Sequence, residues 1–426
     1  MSRNRKKRGF PAIAVTLFAV VSVFLAVNVA RGMRCEQPEA EEQTAPVRLR
    51  GRLTNEQSQN PAIDRRVEKY MRDWELKGVS LSIMRNDSLV YSRGYGIADK
   101  NVAMTPDHSL RIASVSKLIT AAGIMVLEER GLLSLDSKVF GEEGLLSGED
   151  YVYKDRNFEK ITVAHLLRHQ GGFRIDPLFI AEDVRNTLGL KDAPEAEHLI
   201  ELTMRNSLRF EPGTSQRYSN MGYFFLSRII ETLSGQSYED FIRGNVLEPA
   251  GCYDFHISGN YYEEKDSLDT RQYTHTGDGQ YVTDYHGNGK MVERSYGGND
   301  IRMCSGAGAW TATTAELCRF VASIDGRPEV PDIISRESVD KMTEYIDENT
   351  FSLGWNDTNP EKGWNRTGSF SGTSALVQYF PDGECWVMVT NTSTWRGPSQ
   401  SKYCLALFQE CRADLSLNLP HIDLFN

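Results

Sequence analysis

The chain has 426 residues, 40% of them hydrophobic and 25% charged, enough for one large or two medium domains around a substantial core. Its formal net charge is −10, and because the first 34 positions hold seven basic residues and no acid, the remainder carries 41 basic against 58 acidic residues. That balance offers no sustained basic face and argues against a nucleic-acid partner.

At the N-terminus Arg3, Arg5, Lys6, Lys7 and Arg8 precede an uncharged run of 21 residues, Phe10 to Ala30. The run can span a bilayer and exceeds the ~7–15 residues usual for a signal-peptide core. Only Arg31 and Arg34 follow it closely, so the charge bias predicts a cytoplasmic N-terminus and a body on the far side, periplasmic or secreted. Two readings stay open: a retained anchor over residues 1–34, or a leader removed near Ala30 or Gly32. Arg34 directly before Cys35 is a poor fit to a lipoprotein cleavage site. Residues 35–60 are polar, acidic from Glu36 to Glu42, and are expected as a linker. The body is then expected over 61–412, with a tail at 413–426. Export would place Cys252, Cys304, Cys318, Cys385, Cys404 and Cys411 in an oxidising space where disulfides can form. Cys404 and Cys411, on one helix, would be two turns apart and too far to bridge each other.

From Pro61 the pattern turns helical, with Ile63, Val67, Tyr70, Met71 and Trp74 on one face. Val79–Met84 and Leu89–Tyr95 read as strands joined by a tight turn at Asn86-Asp87. A long apolar helix follows, ending near Gly131 and opened by Ser114 and Lys117. Residues 161–172 form a short helix stopped by glycines. Its His165 and His169 are four apart, but no Glu follows His165 and no third ligand is evident, so packing and hydrogen-bonding roles are favoured over a metal pair. Helices are predicted at 195–206, 221–235 and 237–247, loops or irregular hairpins at 258–300, and a helix at 314–324 capped by Thr313. Strands return at Ser352–Trp355, Arg366–Ser369, Ala375–Phe380 and Trp386–Thr390, before a last helix over 398–411. Strands at both ends with helices between predict an α/β (α+β) fold, its one sheet assembled from the two chain ends around an inserted, mostly helical region.

Three stretches carry chemistry. Ser114 and Lys117 lie three apart, within reach of one another on a helix, and burial of the amine would lower its pKa enough to accept the hydroxyl proton. The spacing alone is cheap, since Ser338/Lys341 and Ser399/Lys402 repeat it, but only the copy at 114 opens a long apolar helix. Tyr218-Ser219-Asn220 supplies a phenol that could relay that proton and an amide that could bind an acyl-amide carbonyl; a buried, satisfied tyrosine is the bland reading. Arg366-Thr367-Gly368-Ser369 opens a strand. Gly368 permits close backbone approach there, and the N–H groups of Ser369 and Ser114 could form an oxyanion hole, where an ordinary turn is the alternative.

In that order Ser-x-x-Lys, Tyr-x-Asn and a cation-Thr-Gly resemble the serine β-lactamase and penicillin-binding-protein superfamily, closest to its class C branch, over about residues 62 to 411. The resemblance implies a β-lactamase/transpeptidase-like fold and an acyl-serine intermediate with no metal or cofactor. It makes Ser114 the nucleophile, Lys117 and Tyr218 the proton-handling pair, and Asn220, Arg366, Thr367 and Gly368 the substrate-binding residues. The substrate would be a D-amino-acid peptide, a β-lactam or an ester. Arg366 departs from the usual Lys or His; it holds its proton, so a fork around a substrate carboxylate is the expected role. His275-Thr276-Gly277 spells the third motif literally, but sits amid loop residues. The competing function is a non-catalytic protein of the same fold that binds peptidoglycan or a partner. A lysine beside the serine opposes it.

Overall fold

The computed structural model describes residues 52–147, 151–274, 281–394, 397–414 and 417–425. The expected anchor, most of the linker and the rival motif at His275–Gly277 lie outside them. Among the described residues no helix is long and apolar enough to cross a membrane. The strands in chain order are β1 (Gly78–Arg85), β2 (Ser88–Asp99), β3 (Val102–Ala103), β4 (Leu110–Arg111), β5 (His256–Ile257), β6 (Tyr281–Thr283), β7 (Met291–Glu293), β8 (Trp310–Ala312), β9 (Trp364–Phe370), β10 (Thr373–Tyr379) and β11 (Glu384–Thr390).

The main sheet has the order β3-β2-β1-β11-β10-β9, antiparallel throughout. Its centre joins the two ends of the body: Val79 faces Thr390 and Arg85 faces Glu384. At the β1–β2 turn Asn86 and Asp87 both take positive φ, 47° and 59°, the backbone of a type I′ hairpin. The alternation of β1 sorts its side chains. Val79, Leu81 and Ile83 face the first and last helices, α1 (Pro61–Trp74) and the helix Gln400–Arg412, with Ile63, Val67 and Phe408 in the same cluster. Ser80 and Ser82 face the other way, each 2.8 Å from the Thr314 hydroxyl of the helix Thr314–Ala322. The sheet is therefore the middle of three layers, and the hydroxyls on its inner face are paired.

Helix α2 (Ser116–Glu129) is buried on every side from Ser116 to Leu127, which explains its continuous apolar sequence. It packs among the helical insertion, chiefly α3 (Asn220–Ser234) and the short helix Ser305–Gly308. The predicted helices at 195–206, 237–247 and 314–324 are present as Ala196–Met204, Tyr238–Ile242 with a π-turn to Leu247, and Thr314–Ala322; the Thr313 hydroxyl accepts from the Glu316 N–H as a cap.

Several expectations are corrected. Ser352–Trp355 is not a strand: Gly354 has φ +87°, and a Cβ there would meet Ala121 of α2 at 2.8 Å. Helices at Ala181–Leu188 and Arg336–Thr343 were not anticipated. Residues 53–58, expected as linker, cover the edge of β2: Asn55 Oδ1 accepts from Gly94 N–H, and Ser58 Oγ from Ser92 N–H. The expected tail is part of the body, with Leu419 and Phe425 buried and the Leu424 N–H bonded to Leu89 O. All six described cysteines are free and buried.

Candidate active site

Ser114 lies in a 3-10 turn, Ala113–Val115, that runs directly into α2. The turn depends on Ala113, a non-glycine residue at φ +47°. A left-handed alanine costs on the order of 1–2 kcal/mol, and here it turns Ser114 out of β4 and onto the start of the helix. Lys117 follows in the first turn of α2, fully buried. Its Nζ donates to Ser114 Oγ at 3.1 Å, to Asn220 Oδ1 at 2.8 Å and to the Ala307 carbonyl at 2.5 Å. Burial pulls the amine below its ordinary pKa, the nearby Tyr218 oxygen opposes that shift, and Arg366 reinforces it.

Tyr218 stands on the loop before α3, 38% exposed, and its hydroxyl lies 2.7 Å from Ser114 Oγ. Burial of the phenol oxygen resists ionisation, but the charges of Lys117 and Arg366, with hydrogen bonds from Lys117 and Ser114, outweigh it and hold the pKa below the usual value. Ser114 thus touches both residues of the expected proton-handling pair.

Arg366 differs from its expected role. It has no exposed surface; Nε donates to the Ser114 carbonyl at 2.8 Å and Nη2 to the Tyr218 hydroxyl at 3.2 Å. Only Nη1 is left without a hydrogen bond. No two-pronged fork remains for a substrate carboxylate, and the guanidinium instead lies against the tyrosine ring, 5.8 Å from its centre.

The geometry of β9 accounts for Gly368. A Cβ there would lie 2.3 Å from Ile112 O and 3.2 Å from Ser114 N, so only glycine lets the strand run against the Ser114 turn. The Asn365 N–H bonds to Asp357 O and the Thr367 N–H to Asn356 Oδ1, both away from β10. Alternation puts the Ser369 N–H on that same outer edge, free of β10, while the Ser369 side chain is exposed.

Asn220 opens α3 and spends its Oδ1 on Lys117, leaving its amide NH2 as the group that could meet a substrate. Asp176, not singled out by its sequence, fixes it: Oδ2 accepts from the Asn220 N–H at 2.5 Å. His165 and His169 do different work. His165 caps its own helix through the Thr162 N–H. His169 is buried at φ +57° with its ring 4.4 Å from that of Tyr218, and its Nδ1 accepts from the Ser219 N–H. Burial, then Arg366 and Lys117, hold it well below its usual pKa, so it is a neutral platform under the phenol. Periodicity marks neither Asp176 nor the Ala307 carbonyl, because each reaches the site by a long-range turn of the chain.

The family model described as Beta-lactamase matches residues 63–406. Penicillin-binding protein 4* of Bacillus subtilis (strain 168) is 28% identical over 323 residues, 72% of this chain and 66% of that protein. Putative penicillin-binding protein PbpX of the same strain is 23% identical over 367 residues, 83% of each chain. Protein flp of Staphylococcus aureus (strain N315) is 31% identical over 202 residues, 46% of this chain and 38% of that protein's length. Among solved structures, the octameric penicillin-binding protein homologue from Pyrococcus abyssi superposes with a TM-score of 0.63 at 24% identity, covering 82% of this chain and 77% of that one. The D-amino acid amidase from Ochrobactrum anthropi SV3 complexed with D-phenylalanine does so with 0.63 at 20%, covering 83% and 100%.

Proposed function

The chain belongs to the Beta-lactamase family of serine hydrolases, and from that premise we propose that it cleaves an amide or ester through an acyl intermediate on Ser114. The observation that carries this reading is the contact of one hydroxyl with both a buried amine and a phenol held below its usual pKa. Tyr218, as phenolate, takes the Ser114 proton while Oγ bonds to the acyl carbon. The oxyanion that forms is met by the N–H groups of Ser114 and Ser369, roughly 3–4 kcal/mol per donor at the barrier. As the bond to the leaving group breaks, Tyr218 returns the proton to the departing nitrogen or oxygen. Water then gives its proton to the same phenolate and attacks the acyl carbon, and Tyr218 passes that proton to Oγ as the acyl bond breaks, freeing the Ser114 hydroxyl and restoring the phenolate. Lys117 keeps Tyr218 ionised and Asn220 in place throughout.

The burial of Arg366 supports a substrate that needs no carboxylate clamp, such as a D-amino-acid amide or a neutral ester, over a peptide or lactam recognised by its acid group. The aromatic pair Phe179–Phe370, centroids 5.2 Å apart at the end of β9, supports an apolar side chain on the acyl part. A fluorophosphonate should add one mass adduct that Ser114→Ala loses; an unlabelled wild-type protein with intact fold would overturn the hydrolase reading. Turnover of D-phenylalanine amide and short acyl esters, set against D-alanyl-D-alanine peptides and a chromogenic cephalosporin, then ranks the classes. The N-terminal charge pattern further supports a body outside the cytoplasm. A phosphatase fused after residue 60 would be active if so and silent if not.

A further inference from the structure

A second cluster lies outside the Ser114 site. It borders a cavity of about 740 Å3 lined by Arg243, Asp254, His256, Asp266, Asp269 and Glu316 among others, none of which belongs to the serine site. His256, Asp266 and Asp269 each offer one potential ligand atom, all within 4.8 Å of one another, and they are the only such group of three among the described residues. We propose that this is a divalent-cation site of the Zn2+ or Mn2+ type, held by one imidazole nitrogen and two carboxylates.

Three observations carry the assignment. The first is orientation: Nδ1 of His256 is 2.9 Å from the Asp254 carbonyl, which can only accept, so Nδ1 carries a hydrogen and Nε2 is the nitrogen turned to the acids, where it bonds to Asp269 Oδ2 at 3.1 Å. This is the outer-sphere arrangement that orients ligating histidines. The second is spacing. Nε2 stands 3.0 Å from Asp269 Oδ1 and 3.9 Å from Asp266 Oδ2, within the roughly 3.0–4.2 Å spanned by pairs of atoms that share one ion at ~2.1 Å. The third is a buried carboxylate: Asp269 is only 8% exposed, its Oδ1 has no polar partner but His256 Nε2, and its Oδ2 accepts from the Asp266 N–H and lies 3.1 Å from the same imidazole nitrogen. Asp266, 77% exposed at its side chain, is free to close on the ion from the solvent side. The mix of nitrogen and carboxylate donors suits a first-row divalent ion better than Ca2+, which prefers an all-oxygen shell.

The site ties together segments distant in sequence. His256 belongs to β5, whereas Asp269 bridges to Ser109, whose N–H bonds to Leu268 O just before β4 and the Ser114 turn. An ion here would staple the insertion to the strand that delivers the nucleophile, stabilising the native chain by mass action. Tag-free protein, stripped with chelator and titrated with Zn2+ or Mn2+ alone, should bind one equivalent and melt several degrees higher. Asp266→Asn, at an exposed position, and His256→Gln should each weaken binding by about tenfold or more. Fluorophosphonate labelling of Ser114 should persist in both variants and serves as the measure of folding. An absence of binding, or equal binding by wild type and variants, would overturn the site and leave His256 as a plain ion-pair partner. Neither result bears on the acyl-enzyme reading, which rests on Ser114 labelling.

Discussion

Within the site, Arg366 is the residue whose role changes most between letters and coordinates. As sequence it stands where a substrate clamp is expected; in the fold its Nε and Nη2 are bonded to Ser114 and Tyr218. Its removal should raise the pKa of Tyr218, since its charge is among those that lower it. A phenolate base works only above its own pKa, so the acidic limb of kcat/KM for Arg366→Met should move to higher pH. Activity near neutrality should fall about 10- to 100-fold with little change in KM. A large rise in KM for carboxylate-bearing substrates alone would restore the clamp. The meeting of Ser114, Lys117 and Tyr218 was legible because it was sought from short spacings and residue type. Asp176 and Ala307 were not, because a carboxylate or a carbonyl brought in by a long-range turn leaves no local pattern.

Among the elements, β9 and the β1–β2 hairpin show how backbone constraints reach function and stability. Gly368→Ala would push the strand off Ile112 and Ser114, displacing the Ser369 donor. The expected result is a loss of about 10²–10³ in kcat, against a modest fall in melting temperature, read by single-turnover acylation and thermal denaturation. In the hairpin, the Asp87 carboxyl is pushed up to about 8, first by burial and then by the Asp325 carboxylate beside it. The folded chain therefore holds this proton more tightly than the unfolded chain, whose aspartates titrate near ~3.9. Its contribution to stability is complete below that value and is lost as the pH climbs toward 8. Asp87→Asn should flatten that decline in urea titrations between pH 5 and 9; an unchanged slope would assign the proton elsewhere. The turn itself was readable from Asn-Asp between alternating strands, and α1 from its apolar spacing. The helices Ala181–Leu188 and Arg336–Thr343 escaped because they are short and polar, with only Ala181, Val184 and Arg185, or Ser338, Val339 and Met342, turned inward.

Over the whole molecule, the arrangement of one sheet from both chain ends was predictable from element order, yet the boundaries of the body were not. Composition cannot tell a polar segment that solvates from one that pairs with a strand edge, which is why residues 53–58 and the C-terminal residues read as linker and tail. The tail is the testable part. Phe425 is buried with the Arg319 guanidinium 5.2 Å from its ring centre, and Asp423 and Leu424 bond to both sides of Leu89. Phe425→Ala should cost about 3 kcal/mol, seen as a lower urea midpoint with kcat intact; no change would return the segment to solvent. The pairing of β1 with β11 has a further consequence for how the protein is made. A strand complete by Arg85 must wait for a neighbour that ends at Thr390, so through most of synthesis its edge is open to any passing chain. Holding factors that bind nascent extended segments, or rapid transfer of the lengthening polypeptide, would guard that interval, and premature termination before Glu384 should yield aggregates in place of a smaller working enzyme.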